Sequence, residues 1–332
     1  MSITIKDIAK VAGVSHTTVS RALKNHPSIS AETTARIQHL AREMGYTPNI
    51  VAQSLLNRRT NTIGMVVTTI ADPFMTMVVD GAESVARQAG YSLFLGASHN
   101  NPRDELDVVK TFHQRRVDAI IVTSSRVGSL YATELEKIEI PIVLINDQQD
   151  GKYLYSVAVD DIHGAQTAVE HLISLGHRRI AYLGNTVRPE ANRRRREGYL
   201  AALKKAGISP ETNLIFDGVT GDDVALGAQI LDDLRAQSAT AVFCCTDMLA
   251  VGMLLSCRER GIAVPEQLSI AGFDDIDIAH FVSPQLTTIH QPRRQLGQLA
   301  MQMVLDLLNG KSANNQILPC ELVVRESTAK LS

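Results

Sequence analysis

The chain has 332 residues, enough for two or three domains, and its hydrophobic (45%) and charged (20%) fractions are those of an ordinary water-soluble protein. No stretch approaches the roughly 20 apolar residues of a membrane span, and the N-terminal sequence lacks the pattern of a signal peptide. We therefore expect a cytoplasmic protein with no membrane partner. The net charge of −2 excludes a general polycation.

The charge is nevertheless distributed unevenly along the chain. Residues 1–60 carry eight Lys and Arg against three Asp and Glu, a net +5, whereas the remainder carries 25 against 32, a net −7. This asymmetry is expected when only the basic segment contacts a phosphate backbone. The four cysteines have no zinc or redox spacing, so we expect free thiols, no metal site and no cofactor.

The first elements in chain order are two short helices joined by a tight turn. The first helix is indicated by apolar residues at the spacing of one helical face, namely Ile5, Ile8, Ala9 and Ala12. Gly13 suits the left-handed conformation that ends a helix, and Ser15 can cap the next one. Two helices with such a turn are typical of a helix-turn-helix.

The second helix has an inward and an outward side. Val19 and Leu23 are four residues apart and face inward. The outward residues are hydrogen-bonding ones that suit a DNA major groove, namely His16, Thr17, Ser20 and Arg21. An ordinary amphipathic helix pair with a solvated polar face explains the periodicity equally well. Periodicity alone does not choose between the two interpretations.

A third helix begins after Ser30 and ends at Gly45, which completes a three-helix domain at residues 1–46. Residues 47–61 follow as a hinge and linker. The segment 49–57 forms at most a two-turn helix, which is not stable in isolation in water. We therefore expect this helix to need a partner.

From residue 62 the pattern changes to apolar runs of strand length that alternate with helical stretches. Continuous apolar strands between helices indicate parallel sheets that are covered on both faces. The strands are predicted at 63–67, 92–96, 119–123, 142–146, 156–159, 179–183, 213–216, 241–245 and 268–272. The helices are predicted at 78–89, 105–113, 130–137, 164–175, 194–206, 223–237, 247–260 and 295–309. The fold class is therefore α/β, with two doubly wound lobes whose ligands lie at the C-terminal ends of the strands.

Four blocks of the sequence carry a family resemblance, in this order along the chain. They are TIKDIAKVAGVSHTTVSRAL, YTPNIVAQSLLNRRTNTIGMVV, HLISLGHRRIAYLG and LSIAGFDDIDIAHFVSPQLTTIHQP. Together they resemble the lactose-repressor/galactose-repressor family of bacterial transcription regulators over essentially the whole chain. The resemblance favours the helix-turn-helix over the ordinary helix pair.

The resemblance implies a set of DNA-binding residues in the first 55 positions. The major-groove positions are Ser15, His16, Thr17 and Arg21. Positions that contact phosphates or brace the hinge are Thr4, Thr18, Ser20, Ser30, Tyr46 and Asn49. Ala52 and Leu55 belong to a hinge helix that folds on the operator, where Leu55 is inserted between base pairs of the minor groove. A hinge-packing role for Leu55 is the alternative.

The resemblance also implies a periplasmic sugar-binding fold for residues 62–332. We expect an N-lobe at about 62–160 plus 291–320 and a C-lobe at about 161–290 plus 321–332. The effector cleft between them is predicted to contain Asp72, Phe74, Asp147, Arg195, Thr246, Asp274 and Gln291. Thr246 departs from the Asn found in many family members, which weakens any transfer of one member's sugar to this chain.

Three classes of function remain for comparison. The first is a repressor that binds a palindromic operator on double-stranded DNA as a homodimer and responds to a small-molecule effector. We expect the effector to be a sugar or a sugar derivative. A purine-like corepressor is the alternative. The second is a solute-binding protein, against which the basic N-terminal segment argues. The third is an enzyme, for which the sequence has no phosphate-binding loop and no catalytic set at strand ends.

Overall fold

The computed structural model describes residues 3–46, 59–124, 137–147, 154–219 and 221–331. The chain divides into two compact units, Met1–Thr60 and Asn61–Ser332. The predictions for the hinge residues Asn49, Ala52 and Leu55 fall outside the described residues, as does most of a helix expected at 130–137.

The first unit is a bundle of three short helices. They are α1 (Ile5–Ala12), α2 (His16–Leu23) and α3 (Ala31–Glu43). Gly13 ends α1 with a φ of 68°, a left-handed conformation that a side chain would strain. The small core consists of Ile8, Ala9, Ala12, Val19, Ala22, Ile37 and Ala41.

Short-range hydrogen bonds begin each of these helices. The backbone N–H and the hydroxyl of Thr4 both donate to Oδ2 of Asp7, at 2.9 and 2.7 Å. Ser15 Oγ accepts from the backbone N–H of Thr18 at 3.1 Å, and Ser30 caps α3 in the same way. The local sequence therefore fixes where all three helices begin.

The N-lobe is built on a six-stranded parallel sheet in the order β11-β5-β4-β3-β1-β2. Its strands are β1 (Thr62–Val67), β2 (Ser92–Ala97), β3 (Ala119–Thr123), β4 (Ile142–Ile145), β5 (Leu154–Val159) and β11 (Gln316–Leu318). Its helices are α4 (Pro73–Gln88), α5 (Pro102–Gln114) and α12 (Arg293–Leu308). Gly81 on α4 lets the α12 backbone approach closely, since a Cβ there would lie 2.1 Å from the carbonyl oxygen of Arg294.

The C-lobe is built on a four-stranded parallel sheet in the order β7-β6-β8-β9. Its strands are β6 (Ile180–Asn185), β7 (Ile215–Gly218), β8 (Ala241–Cys244) and β9 (Ser269–Ala271). Its helices are α6 (Asp161–Ser174), α7 (Pro189–Lys205), α8 (Asp223–Gln229), α9 (Leu231–Ala236), α10 (Asp247–Glu259) and α11 (Ile278–Phe281), with a 3-10 turn at Thr212–Leu214.

A two-stranded antiparallel ladder accompanies the passages of the chain between the lobes. It pairs β10 (Thr288–His290) with β12 (Glu321–Val323). Asp274, which follows the last C-lobe strand, forms an isolated bridge with His290. The chain enters α12 of the N-lobe just after β10. The ladder therefore lies where the chain passes from one lobe to the other.

The structure confirms the α/β class and two lobes, with three differences in detail. β2 is an edge strand whose side chains are largely exposed, so it is not covered on both faces as expected. The helix expected at 223–237 is divided at Ile230 into α8 and α9. β10, β11 and β12 are too short, at three residues each, to give a clear alternation pattern.

No helix among the described residues is both long enough and apolar enough to span a lipid bilayer.

Candidate functional site

The outward side of α2 presents an exposed set of hydrogen-bonding side chains. His16, Thr17 and Arg21 are exposed, while Val19 and Ala22 on the opposite side are fully buried. The side chain of Arg21 makes no hydrogen bond or ion pair with any residue that the structure describes; only its backbone carbonyl is used, by the N–H groups of Lys24 and His26. Its guanidinium is therefore available for a partner such as a guanine edge or a phosphate.

The remaining predicted DNA-binding residues of this unit already have structural roles, apart from Ser20, which is half-buried on α2. Ser15 Oγ and Thr18 Oγ1 are 2.9 Å apart within the cap of α2. Ser30 Oγ donates to Thr33 Oγ1 at 2.9 Å, at the start of α3. Tyr46 packs against the small core, and burial raises the pKa of its hydroxyl. These contacts hold α2 and α3 in place, and phosphate contacts of this kind fix the position of a protein on DNA without reading its sequence.

The second unit contains a cleft at the C-terminal ends of the parallel strands of both lobes. The residues around it follow strand ends in each sheet, as the general rule for such lobes requires. They include Asp72, Phe74, Ser124 and Asn146 from the N-lobe and Arg188, Arg195, Asp223, Thr246, Met248, Asp274 and Ile276 from the C-lobe. The cleft thus combines charged groups with an aromatic and aliphatic wall.

Arg188 is the central cation at the mouth of the cleft. Its Nη1 donates to Asp223 Oδ2 of the C-lobe at 3.0 Å, and its Nη2 donates to Asp72 Oδ2 of the N-lobe at 3.1 Å. Burial opposes the charge of Arg188, but Asp223 and Asp72 outweigh this effect and raise its pKa. The guanidinium is therefore charged and joins the two lobes.

Arg195 is held deeper in the cleft by several acceptors. Its Nε donates to Asp161 Oδ1 at 2.8 Å, and its Nη1 donates to the carbonyl oxygen of Cys245 at 2.5 Å and to Asp274 Oδ1 at 3.3 Å. The guanidinium carbon lies 3.9 Å from the ring centre of Phe273, a cation–π contact. The predicted cleft arginine is thus fixed in orientation by the protein itself.

Asp274 and Gln291 form the back of the cleft near the crossover ladder. Gln291 Nε2 donates to Asp274 Oδ1 at 2.6 Å, and Asp274 adopts a φ of 132°, which is rare for a residue with a side chain. Burial raises the pKa of the Asp274 carboxyl in spite of the nearby Arg195. Within the described part of the chain, the buried Oε1 of Gln291 has no hydrogen-bond partner.

The structure brings five of the seven predicted effector residues together in the cleft lining: Asp72, Phe74, Arg195, Thr246 and Asp274. Gln291 lies behind them as a partner of Asp274. Asp147 is buried at the end of β4 and is not part of the lining. The hydroxyl of Thr246 is already used, since it donates to Asp223 Oδ2 at 3.0 Å and accepts from the N–H of Leu249.

Sequence reasoning missed Arg188 and Asp223, the two residues that complete the ionic centre of the cleft. Arg188 comes three residues after β6 and directly before Pro189, which begins α7. Asp223 comes five residues after β7 and is the first residue of α8. A systematic search of the turns after each predicted strand would have found both, because parallel strands bring these turns to one edge.

The chain has a helix-turn-helix domain followed by two parallel-sheet lobes, with a cleft of charged and apolar side chains at their strand ends. This arrangement defines the class of DNA-binding regulators with a periplasmic-binding-protein-like domain. Two family profiles match the chain accordingly. "Bacterial regulatory proteins, lacI family" matches residues 4–49, and "Periplasmic binding protein-like domain" matches residues 169–328.

Relatives that match the whole chain indicate the same class of protein. The HTH-type transcriptional repressor CytR of Escherichia coli (strain K12) is 35% identical over 334 residues, which covers 99% of this chain and 97% of the relative. A crystal structure of the lac repressor dimer bound to operator and an anti-inducer has a TM-score of 0.88 at 27% identity, with 99% and 100% of the two chains covered. A ribose-bound LacI family regulator from Enterococcus faecium has a TM-score of 0.73 at 29% identity, with 82% and 100% covered.

The chain belongs to the lacI family of bacterial regulatory proteins. It is a sequence-specific DNA-binding transcription regulator with an effector-binding domain, as the sequence predicts.

Proposed function

We propose that this protein is a repressor that binds a palindromic operator as a homodimer and that a small molecule in the cleft controls its operator affinity. The free, exposed guanidinium of Arg21 beside His16 and Thr17 is the observation that carries the DNA-binding part. Arg binds the N7 and O6 atoms of guanine with two hydrogen bonds, which gives sequence selectivity.

The cleft supports the regulatory part of the proposal. Ligands of doubly wound lobes bind at the C-terminal strand ends, where this cleft lies, and a ligand that prefers one lobe arrangement shifts the equilibrium between arrangements. The effector we propose is a sugar or a sugar derivative, bound through Asp72, Arg195 and Asp274 with Phe74 as the wall. The ribose in the Enterococcus faecium relative supports this class. A purine-like ligand is the alternative, because Phe74 can stack on either ring.

The homodimer is supported by symmetry and by the exposed edge of the N-lobe. One helix-turn-helix contacts only half of a palindrome, so two copies related by a two-fold axis are needed. On the edge strand β2, the side chains of Phe94 and Leu95 are 49% and 44% exposed. An exposed apolar edge strand favours aggregation unless another surface covers it. A second copy of the chain would cover them. The operator-bound dimer of the lac repressor supports the same assembly.

Three further parts of the proposal rest on the resemblance and the relatives. The domain boundaries at 46, 61 and within the lobes stay as predicted above, and the DNA contacts of Asn49, Ala52 and Leu55 in the hinge stay predictions. The CytR relative is a transcriptional repressor, which favours a regulator without enzymatic activity. A DNA-binding regulator of this kind acts in the cytoplasm.

An operator selection tests this function directly. The purified protein is used to select duplexes from a randomised library, and the selected sequence is then titrated by fluorescence anisotropy with and without metabolites. We expect a palindromic consensus, salt-dependent affinity and a shift in affinity with one small-molecule class. Selection of no consensus, or binding that no metabolite alters, would contradict the two halves of the proposal separately.

A further inference from the structure

The charges around the effector cleft define which ligands it can accept, provided that the cleft is the effector site proposed above. Among the described lining residues, three carboxyl groups (Asp72, Asp223 and Asp274) face two guanidinium groups (Arg188 and Arg195). Asp161 adds a fourth carboxyl directly behind Arg195. Each arginine is therefore placed between two acidic residues of the protein, and neither is a cation awaiting an anionic ligand.

The carboxylates that occupy Arg188 are fixed and do not depend on the arginine for their position. Asp72 caps α4, where its Oδ1 accepts from the N–H of Phe74 at 2.9 Å. Asp223 accepts from Asn185 Nδ2 at 2.5 Å and from Thr246 Oγ1 at 3.0 Å. Because other groups hold both carboxylates, an incoming anion cannot push them aside and would lie next to two negative charges that are little exposed to water.

The second arginine offers an anion no better site. Arg195 is bound by Asp161 and by the carbonyl oxygen of Cys245 as well as by Asp274. Its pairing with Asp161 uses Nε and does not involve Asp274, which contacts Nη1. The positive charge at the back of the cleft is therefore balanced in either state of Asp274.

Two buried acceptor atoms at the cleft fit the same conclusion. Oδ1 of Asn146 in the lining and Oε1 of Gln291 behind it have no hydrogen-bond partner among the residues that the structure describes. Such atoms are best satisfied by ligand hydroxyl, amino or amide N–H groups. A phosphate or carboxylate at neutral pH offers acceptors almost exclusively.

We propose that Asp72 and Asp223 reserve Arg188 for the protein itself and thereby make the cleft reject effectors that carry a phosphate or carboxylate group. The accepted ligands are uncharged compounds rich in hydrogen-bond donors, such as free sugars and nucleosides, and their phosphorylated forms are excluded. Asp72 and Asp223 act as specificity-determining residues.

The test is the binding of inorganic phosphate, measured by isothermal titration calorimetry at constant ionic strength on the full-length protein. Wild type is compared with Asp72→Ser, which removes the carboxylate but keeps a side chain able to cap α4. The matched control is Asp222→Asn, which removes an exposed helix-capping carboxylate outside the cleft lining. We expect Asp72→Ser to bind phosphate at least about tenfold more tightly than wild type and the control, a change of 1.4 kcal/mol.

The gain in phosphate affinity must also depend on the guanidinium group of Arg188. Adding Arg188→Met to Asp72→Ser should abolish the new phosphate binding. Asp223→Asn serves as a second variant if Asp72→Ser does not fold, and it should produce the same gain. Two results would overturn the proposal. One is phosphate binding by wild type that disappears in Arg188→Met. The other is a folded Asp72→Ser or Asp223→Asn variant whose phosphate affinity equals that of wild type. Because no DNA is present, these results are independent of whether the protein responds to an effector on its operator.

Discussion

Arg188 of the C-lobe donates from Nη2 to Asp72 Oδ2 of the N-lobe at 3.1 Å and so forms an ion pair across the cleft. The side chains of Arg188 and Asp72 are 26% and 9% exposed, which shields the pair from most of the solvent. Any change in the separation of the lobes has to lengthen or break this pair. The bridge therefore couples the cleft residues to the arrangement of the lobes.

Replacing Arg188 with Met should destabilise the effector-binding domain. The change leaves Asp72 and Asp223 without their common cation, and removing one partner of a fully buried pair costs about 3–5 kcal/mol. Since Arg188 retains some exposure, we expect about 2–3 kcal/mol, measured as the free energy of unfolding in urea. Arg193→Met on the same helix is the control, because its ion pairs with Glu190 and Glu197 are exposed and should cost less than about 1 kcal/mol. An equal decrease in the free energy of unfolding in the two variants would mean that the ion pair between the lobes stabilises the domain no more than an exposed pair does.

Arg21→Ala should relax the operator preference at one base position of each half-site. Loss of a bidentate contact to a base costs about 1–3 kcal/mol, visible as weaker binding to the consensus and nearly unchanged binding to a variant at that base pair. Arg42→Ala on α3 removes an exposed arginine of the same domain without touching α2. The control should weaken consensus and variant duplexes alike. An unaltered consensus in a selection with Arg21→Ala would remove Arg21 from base recognition.

Asp274→Asn should abolish the effector response and leave operator binding without effector near that of wild type. The substitution keeps the size of the side chain but replaces one oxygen of the carboxyl group that contacts Arg195 and Gln291 with an amide N–H donor. Operator affinity is titrated with and without the effector found in the metabolite screen. Asp217→Asn removes a C-lobe carboxylate that is paired with Arg196 outside the cleft lining, and it should keep the response. A full response in Asp274→Asn would place the ligand elsewhere.

His177 should make the effector-binding domain less stable as the pH falls below neutrality. Burial lowers the pKa of His177 from its ordinary 6.5, and its ring nitrogens bond to Thr240, Ser269 and the carbonyl oxygen of Ala329 at 3.0–3.1 Å. The unfolded chain then binds a proton at a pH where the folded protein does not. The contribution is complete above pH 6.5 and is lost as the pH falls from there toward the lowered pKa of the folded state.

The measurement is the free energy of unfolding at several pH values between about 5 and 7. His177→Gln should flatten the dependence by up to about 1.4 kcal/mol per pH unit, the limit for one proton. His163→Gln on α6 changes an exposed histidine of the same unit and should leave the slope as in wild type. A slope that is equal in His177→Gln and wild type would show that other groups dominate.

The sequence determined the elements whose cause is local. Thr4, Ser15 and Ser30 begin the three helices of the first unit because each side chain bonds to backbone or side-chain groups three residues away. Gly13 forms the turn because its φ of 68° lies in the left-handed region, which glycine adopts at the lowest steric cost. The buried strands β3 and β4 were predictable because every residue in them is apolar apart from Thr123.

The family and its cleft were predictable as well, because motif blocks and the rule for strand ends place Asp72, Arg195 and Asp274 at one edge. The motifs could not show which hydrogen-bond partners these side chains have in the folded protein. The sequence names Arg195 as a cleft arginine, but only the fold shows that Asp161, Cys245 and Asp274 already bind it.

Tertiary structure alone decided the pairings between residues that are distant in the chain. Arg188 and Asp72 are 116 positions apart, and no local pattern marks them as partners. β11 adds an edge to the N-lobe sheet beside β5 although it follows the entire C-lobe in sequence. Such contacts arise because chain crossovers and side-chain packing bring remote segments together, and their energy depends on a geometry that periodicity does not contain.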